Sequence, residues 1–177
     1  MAANQAFATE WGNAQLASGA TALVYFDPLA SPGMVPVEVY RDTGFLVAQR
    51  TLAGLKGPAL THLASSPTLE VLDLLAQTGT AAVGTSCLED LTEVKRRCAG
   101  RLGVVGNLNG IAMAGWTASE AEAITREALR RGGPGGGFIL SDNHGEIPWA
   151  VPEEVLGTIA ETVRTWGRYP IAREAHA

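Results

Sequence analysis

The chain has 177 residues, 46% of them hydrophobic and 18% charged, which is a composition typical of one globular domain with a hydrophobic core. Its net charge of −5 and the absence of a long basic run argue against a nucleic-acid partner. No apolar stretch approaches the roughly 20 residues of a membrane helix, and the amino terminus has no signal-peptide pattern. We therefore expect a cytoplasmic protein in which Cys87 and Cys98 are reduced thiols.

Five short apolar runs have the length and composition of β-strands. They are residues 22–26, 59–63, 81–85, 103–106 and 137–140. Helical patterns separate most of them, an alternation that predicts a parallel β/α sheet or barrel. Ligands bind at the carboxyl ends of the strands in such folds. Polar side chains at or just beyond these ends are Asp27, His62, Ser86, Cys87, Asn107, Asn109, Asp142 and His144.

Six segments have helical patterns. They are residues 4–17, 37–55, 66–79, 90–98, 117–131 and 152–166. The segment 37–55 is predicted to be one amphipathic helix, because its apolar residues recur at three- and four-residue spacings. Residues 90–93 and 117–120 both have the spacing of a capping box.

The number of strands is too small for a complete β/α barrel. A closed barrel of this type has eight strands and usually about 250 residues. Five parallel strands form either an open sheet or part of a barrel, and the order of the elements alone does not distinguish these two folds.

Four local strings occur in the order and spacing of a known family. They are residues 25–32 (YFDPLASP), 61–63 (THL), 105–109 (VGNLN) and 136–148 (GGFILSDNHGEIP). Together they resemble the uroporphyrinogen decarboxylase superfamily, which also contains methyltransferases that move methyl groups between corrinoid proteins and thiols such as coenzyme M. The resemblance implies an α/β fold, a partial (β/α)8 TIM-type barrel of five parallel strands with flanking helices. Residues 1–177 would then be one domain that lacks the first three barrel strands.

The string at residues 27–32 resembles the methyltransferase branch more closely, and that branch implies zinc. Zinc there activates a thiol and is held by a His-x-Cys pair and a later cysteine. In this chain Ala64 stands at the first cysteine position and His144 at the second. The resemblance therefore implies a zinc site of His62 and His144, with Asp142 as a further oxygen ligand. The alternative is that both imidazoles hydrogen-bond within the pocket.

The decarboxylase branch matches at one position and differs at others. His144 aligns with a histidine that contacts substrate in those enzymes, and Gly145 follows it as in the family. Pro28 stands where the family has a serine. The strand ends also supply no arginine for a substrate with many carboxylates. The family's substrate-binding arginines and catalytic aspartate belong to strands that have no counterpart here.

These observations give one leading functional hypothesis and two alternatives. The candidate catalytic residues are His144 and Asp27, and the candidate substrate-binding residues are His62, Asn107, Asn109 and Asp142. The leading hypothesis is methyl transfer in corrinoid-linked one-carbon metabolism, with bound zinc and a corrinoid carried by a partner protein. The alternatives are a lyase that acts on a tetrapyrrole carboxylate and a non-catalytic subunit that completes another barrel.

The missing strands also predict an assembly. Five strands of an eight-stranded barrel leave two edges, and the side chains expected to line the barrel, Leu23, Tyr25, Leu60 and Val105, would lose apolar cover. We expect a second copy of the chain, or a separate polypeptide with the first three units, to cover the open side. Such a partner would also supply arginines for an anionic substrate. A small molecule or a corrinoid protein is the expected substrate, and neither nucleic acid nor a membrane is expected as a partner.

Overall fold

The computed structural model of the chain describes residues 2–171, and these contain one sheet of five parallel strands. The strands are β1 (Leu23–Phe26), β2 (Ala59–His62), β3 (Ala82–Gly84), β4 (Gly103–Leu108) and β5 (Phe138–Asp142). Their order in the sheet is their order in the chain. Each strand therefore pairs with the strand that precedes it, as in a β/α barrel, and the predicted parallel sheet is confirmed.

Helices connect the strands. They are α1 (Ala2–Ala17), α2 (Val37–Asp42), α3 (Gly44–Ala53), α4 (Leu72–Leu75), α5 (Leu91–Cys98), α6 (Ala118–Gly132) and α7 (Glu153–Trp166), with 3-10 turns at Pro28–Ala30 and Ala112–Gly115. Within residues 2–171, none of these helices combines the length and the apolar character needed to cross a bilayer.

The hydrophobic core lies between one face of the sheet and the helices. Val83 and Val104 from the strands pack in one buried cluster with Leu75, Val94 and Val155 from three of the helices. Side chains alternate between the two faces of a strand, so every second strand residue faces the helices. This alternation leaves the opposite face of the sheet, which we call the inner face, without a layer of helices from the described part of the chain.

The inner face carries exposed apolar side chains. Val24, Phe26 and Ile139 are 62%, 60% and 62% exposed. The prediction that Leu23 and Tyr25 line the barrel was wrong, because the alternation in β1 has the opposite phase. Leu23 packs against α1, and Tyr25 hydrogen-bonds Thr51 of α3. Leu60 and Val105 are half-buried and occupy inner-face positions.

The predicted continuous helix at residues 37–55 is divided at Thr43. Thr43 has a non-helical backbone and donates a hydrogen bond from its hydroxyl to the Val39 carbonyl at 2.6 Å. The ring of Tyr40 packs directly over Gly44, where a Cβ would lie 2.7 Å from the ring. Tyr40 is fully buried. The apolar spacing therefore continues through a break at Thr43, beside which the Tyr40 ring packs against Gly44.

Two other predictions about helices also differ from the structure. Of the predicted segment 66–79, only α4 is helical, because the Glu89 carboxylate accepts hydrogen bonds from the backbone N–H groups of Thr68 and Leu69 and holds them outside the helix. Asp90 caps α5 through the N–H of Thr92, without a reciprocal bond from residue 93. The capping box predicted at residues 117–120 is confirmed.

Candidate active site

A pocket of about 320 Å³ lies at the carboxyl edge of the sheet. The loops that follow β2, β3, β4 and β5 all contribute to its wall. Its polar lining residues are Ser65, Ser86, Cys87, Asn109, Asn143 and His144. Two of the predicted site residues, Asn109 and His144, therefore face one concavity, and its size is within the range of small-molecule sites.

His62 ends β2 next to this pocket. Its Nδ1 accepts a hydrogen bond from the N–H of Ala64 at 3.1 Å, so the neutral imidazole carries its proton on Nε2. Burial lowers the pKa of His62; the nearby Asp142 raises it by a smaller amount, and His144 lowers it further. A Cβ on Gly84 would lie 2.7 Å from the His62 ring, so the ring packs against the neighbouring strand. The structure thus holds a neutral imidazole in one fixed orientation.

Asp142 holds the loop that carries His144. Its Oδ2 accepts hydrogen bonds from the backbone N–H groups of His144 at 2.7 Å and Gly145 at 2.8 Å. A Cβ on Gly110 would lie 3.2 Å from the same oxygen, so the loop after β4 also approaches it closely. These contacts show how Asp142 sets the position of its neighbours, while its predicted contact with substrate stays a prediction.

Two buried polar atoms in the loop after β5 have no hydrogen-bond partner within residues 2–171. They are His144 Nδ1 and Asn143 Oδ1. Buried polar groups are nearly always hydrogen-bonded, so an unpartnered pair beside a pocket points to a ligand. Only His144 of this pair was predicted as a site residue, although Asn143 follows the same strand.

Asp27 lies in a different cluster from the histidines. The Tyr40 hydroxyl donates a hydrogen bond to Asp27 Oδ2 at 3.2 Å. Burial raises the pKa of Asp27 and those of Tyr25 and Tyr40, and the Asp27 charge raises both tyrosine pKa values further. Asp27 therefore lies just after β1, close to the phenol groups of Tyr25 and Tyr40. It is not among the residues that line the pocket with His144.

The two predicted asparagines differ in their contacts. Asn107 was predicted just beyond a strand at residues 103–106, but it lies within β4, which continues to Leu108 and pairs with β5 there. The Asn107 amide donates to the Ser86 carbonyl at 3.0 Å and so anchors the loop after β3. Asn109 lines the pocket and accepts a hydrogen bond from the Ala112 N–H at 3.1 Å. Binding of substrate by either side chain stays a prediction.

Glu89 organises the wall of the pocket, although it was not among the predicted site residues. Its carboxylate accepts hydrogen bonds from the Thr68 N–H and hydroxyl, the Leu69 N–H, the Thr85 hydroxyl and the Ser86 N–H, at 2.7 to 3.3 Å. One side chain thus joins the loops that follow β2 and β3. A single glutamate between a strand and the following helix gives no sequence signal for such contacts.

The side chains of residues 2–171 do not by themselves fit a zinc site. Within the described residues, no three His, Cys, Asp or Glu side chains come close enough together to hold a metal ion. Zinc sites in proteins use three or four protein ligands. His62 Nδ1 and Asp142 Oδ2 also already accept backbone hydrogen bonds. Zinc binding through His62 and His144 stays a prediction that needs a further ligand.

Comparison with known proteins identifies the family. The family model described as uroporphyrinogen decarboxylase (URO-D) matches residues 1–166. The chain therefore belongs to the uroporphyrinogen decarboxylase family. Uroporphyrinogen decarboxylase from Thioalkalivibrio sulfidiphilus is 30% identical over 158 residues, which cover 86% of this chain and 44% of that protein. The enzyme of the same name from Cupriavidus necator is 28% identical over 170 residues, which cover 88% of this chain and 44% of that enzyme.

A solved structure supports the fold assignment. A methyltransferase from Methanosarcina mazei superposes with a TM-score of 0.81 at 18% identity, over 93% of this chain and 48% of its own. At this identity the likeness shows the fold alone, a TIM-type β/α barrel of which the five strands form a part. The chain spans less than half the length of the curated relatives it matches.

Proposed function

We propose that this chain forms one part of a barrel enzyme of the uroporphyrinogen decarboxylase family, and that a second set of β/α units completes the barrel over the inner face. The exposed inner face is the observation on which this proposal rests. Val24, Phe26 and Ile139 occupy positions that a closed barrel buries, and all three are more than half exposed. A second copy or a separate polypeptide would bury them and complete the carboxyl edge.

For the reaction, we propose a lyase that removes a carboxylate from a tetrapyrrole-type substrate. In such a step the bond between the carboxylate and its carbon breaks, carbon dioxide leaves, and the carbon takes up a proton in its place. The pocket supplies one imidazole, that of His144, suited to moving that proton, and residues 2–171 supply no complete metal site. Curated relatives with this activity in their name support the same class.

In this proposal the residues of the site have distinct tasks. His144, whose Nδ1 has no partner in the described chain, transfers the proton to the substrate carbon. Asp142 positions the His144 backbone through its two hydrogen bonds. His62 donates a hydrogen bond from Nε2 to the substrate. Its imidazole stays neutral, because burial lowers its pKa. Arginines that bind the substrate carboxylates come from the completing strands.

Methyl transfer to or from a corrinoid partner is the second candidate. The string at residues 27–32, which resembles the methyltransferase branch, favours it. This reaction needs zinc to activate a thiol, so metal content separates it from the lyase. About one equivalent of zinc that His62→Ala releases would favour methyl transfer, whereas no zinc after reconstitution would remove that mechanism.

The test of the lyase is an assay with the assembled barrel. The full chain is co-expressed with a polypeptide that carries the first three β/α units of a family barrel, and the complex is incubated anaerobically with uroporphyrinogen. Mass spectrometry should show products with fewer carboxylates for the wild type and for Glu146→Gln, an exposed control in the same loop, and a large loss for His144→Gln. Intact substrate after incubation with a stable wild-type complex would refute the lyase.

A further inference from the structure

The side chain of Asn143 is buried at the pocket and only partly hydrogen-bonded. It is 3% exposed, and its backbone N–H continues the sheet by donating to the Leu108 carbonyl at 2.8 Å. The amide hydrogen-bonds the thiol of Cys87, while Oδ1 has no partner within residues 2–171. A strong acceptor therefore lies at the pocket wall with its hydrogen-bonding capacity unused.

An unused acceptor of this kind is energetically unfavourable in an unliganded protein. A buried polar group left without a hydrogen-bond partner destabilises the folded chain relative to a satisfied or apolar group. Packing alone would favour an apolar side chain at this position. The cost is offset when a ligand brings a donor to the oxygen, so the geometry is typical of a binding site.

The rest of the pocket defines the chemistry of that ligand. The described residues that line it offer hydroxyl, amide, thiol and imidazole groups, and no Lys, Arg, Asp or Glu among them. An ionised carboxylate placed against Asn143 would lose its hydration without a Lys or Arg side chain in the lining to neutralise it. It would also meet the partial negative charge of Asn143 Oδ1. A neutral group that donates hydrogen bonds meets neither penalty.

We propose that this pocket is a subsite for a neutral N–H or O–H donor, such as a carboxamide or a hydroxyl, and that Asn143 is its specificity-determining residue. The inference rests on the proposed function only for the location of the substrate at the carboxyl edge. It divides recognition between the two parts of the barrel: this chain binds a neutral donor of the substrate, and the completing strands bind its anionic groups.

Propionamide and propionate form a matched pair of probes, because they have nearly the same shape and differ in charge and in donor groups. Cys87 lines the pocket and reports on its occupancy through its rate of alkylation by N-ethylmaleimide, read by mass spectrometry on the full-length chain. Cys98, which is 1% exposed, serves as the internal control for unfolding. Propionamide should slow the modification of Cys87 several-fold, and propionate should have little effect.

The variant Asn143→Ala separates binding from a merely structural role. It should abolish protection by propionamide, while Cys98 should stay unmodified and so show that the unliganded variant remains folded. Asn13→Ala, which removes an asparagine bonded to Gly54 and Lys56 outside the pocket, should keep the protection. Equal protection by the two probes, no protection by either, or protection that persists in Asn143→Ala would overturn the proposal.

These readouts need neither turnover nor a partner, so their failure is distinct from failure of the proposed function. Protection by propionamide in a chain whose assembled barrel leaves uroporphyrinogen intact would retain the subsite and remove the lyase. Carboxylate loss from uroporphyrinogen together with equal protection by both probes would retain the lyase and remove the subsite.

Discussion

The phenyl ring of Phe26 stacks on the imidazole of His62, with ring centroids 5.9 Å apart and 19° between the ring planes. The two residues pair in register at the ends of β1 and β2. Phe26 is largely exposed on the inner face, whereas His62 is buried. An exposed apolar ring therefore covers the imidazole at the edge of the candidate site, and the site and the inner face share a wall.

Lowering the pH should reduce the contribution that His62 makes to the free energy of unfolding. Its pKa in the folded chain lies below the ordinary value of 6.5, so the unfolded chain binds the proton first as the pH falls. The contribution is complete above the unfolded-state pKa and is lost as the pH falls from there toward the folded-state pKa. The difference in free energy of unfolding between wild type and His62→Gln should shrink from about pH 7.5 to about pH 5.5. Urea denaturation at both pH values measures it, and a constant difference would contradict the assignment.

Two glycine substitutions should have effects of opposite sign. In Gly44→Ala the new Cβ meets the Tyr40 ring at 2.7 Å, and the buried ring has little room to move, so we expect a loss of about 1–3 kcal/mol. In Gly157→Ala the Cβ enters open space inside α7, and we expect a gain of up to about 1 kcal/mol from helix propensity. Urea denaturation of both variants tests this, and equal effects would show that the break between α2 and α3 does not depend on the ring.

Removal of the Glu89 charge should loosen the pocket wall. Glu89→Gln replaces an acceptor oxygen with an NH2 group that faces backbone donors, so we expect a loss of about 1–3 kcal/mol. Glu93→Gln is the matched control, since Glu93 pairs with Arg96 at an exposed site, where solvent screening leaves such pairs a small contribution to stability. Thermal and chemical unfolding measure both losses. A smaller loss for Glu89→Gln than for Glu93→Gln would refute the role of Glu89 as the link between the two loops.

The inner face should drive association. A charge placed on it, in Phe26→Lys or Ile139→Lys, should shift the chain toward smaller species, because the charge would be buried in the assembly. Val39→Lys, on the exposed side of α2, should leave the distribution unchanged. Size exclusion with light scattering measures the mass. A monodisperse wild-type monomer at micromolar concentration with a cooperative thermal transition would refute the prediction.

The sequence predicted the features that depend on local pattern and on topology. The five strands, the capping box at Thr117 and the gathering of His144 and Asn109 at the carboxyl edge all follow from such signals. The features it missed depend on contacts between distant segments. The phase of β1 is set by packing against α1 and α3, and Glu89 binds residues 20 and 21 positions earlier in the chain. No local periodicity encodes contacts of this kind.

The strict agreement between strand order and chain order has a consequence for how such a barrel can be divided. Because every strand from β2 to β5 pairs with its predecessor, each unit completes its hydrogen bonds as soon as the next strand is made. A cut between two consecutive units interrupts no crossover and leaves each piece with its own helices already packed. The two pieces then need to recognise each other only through strand edges and the inner face, so genes for a split barrel could be exchanged or recombined without rebuilding the fold of either piece.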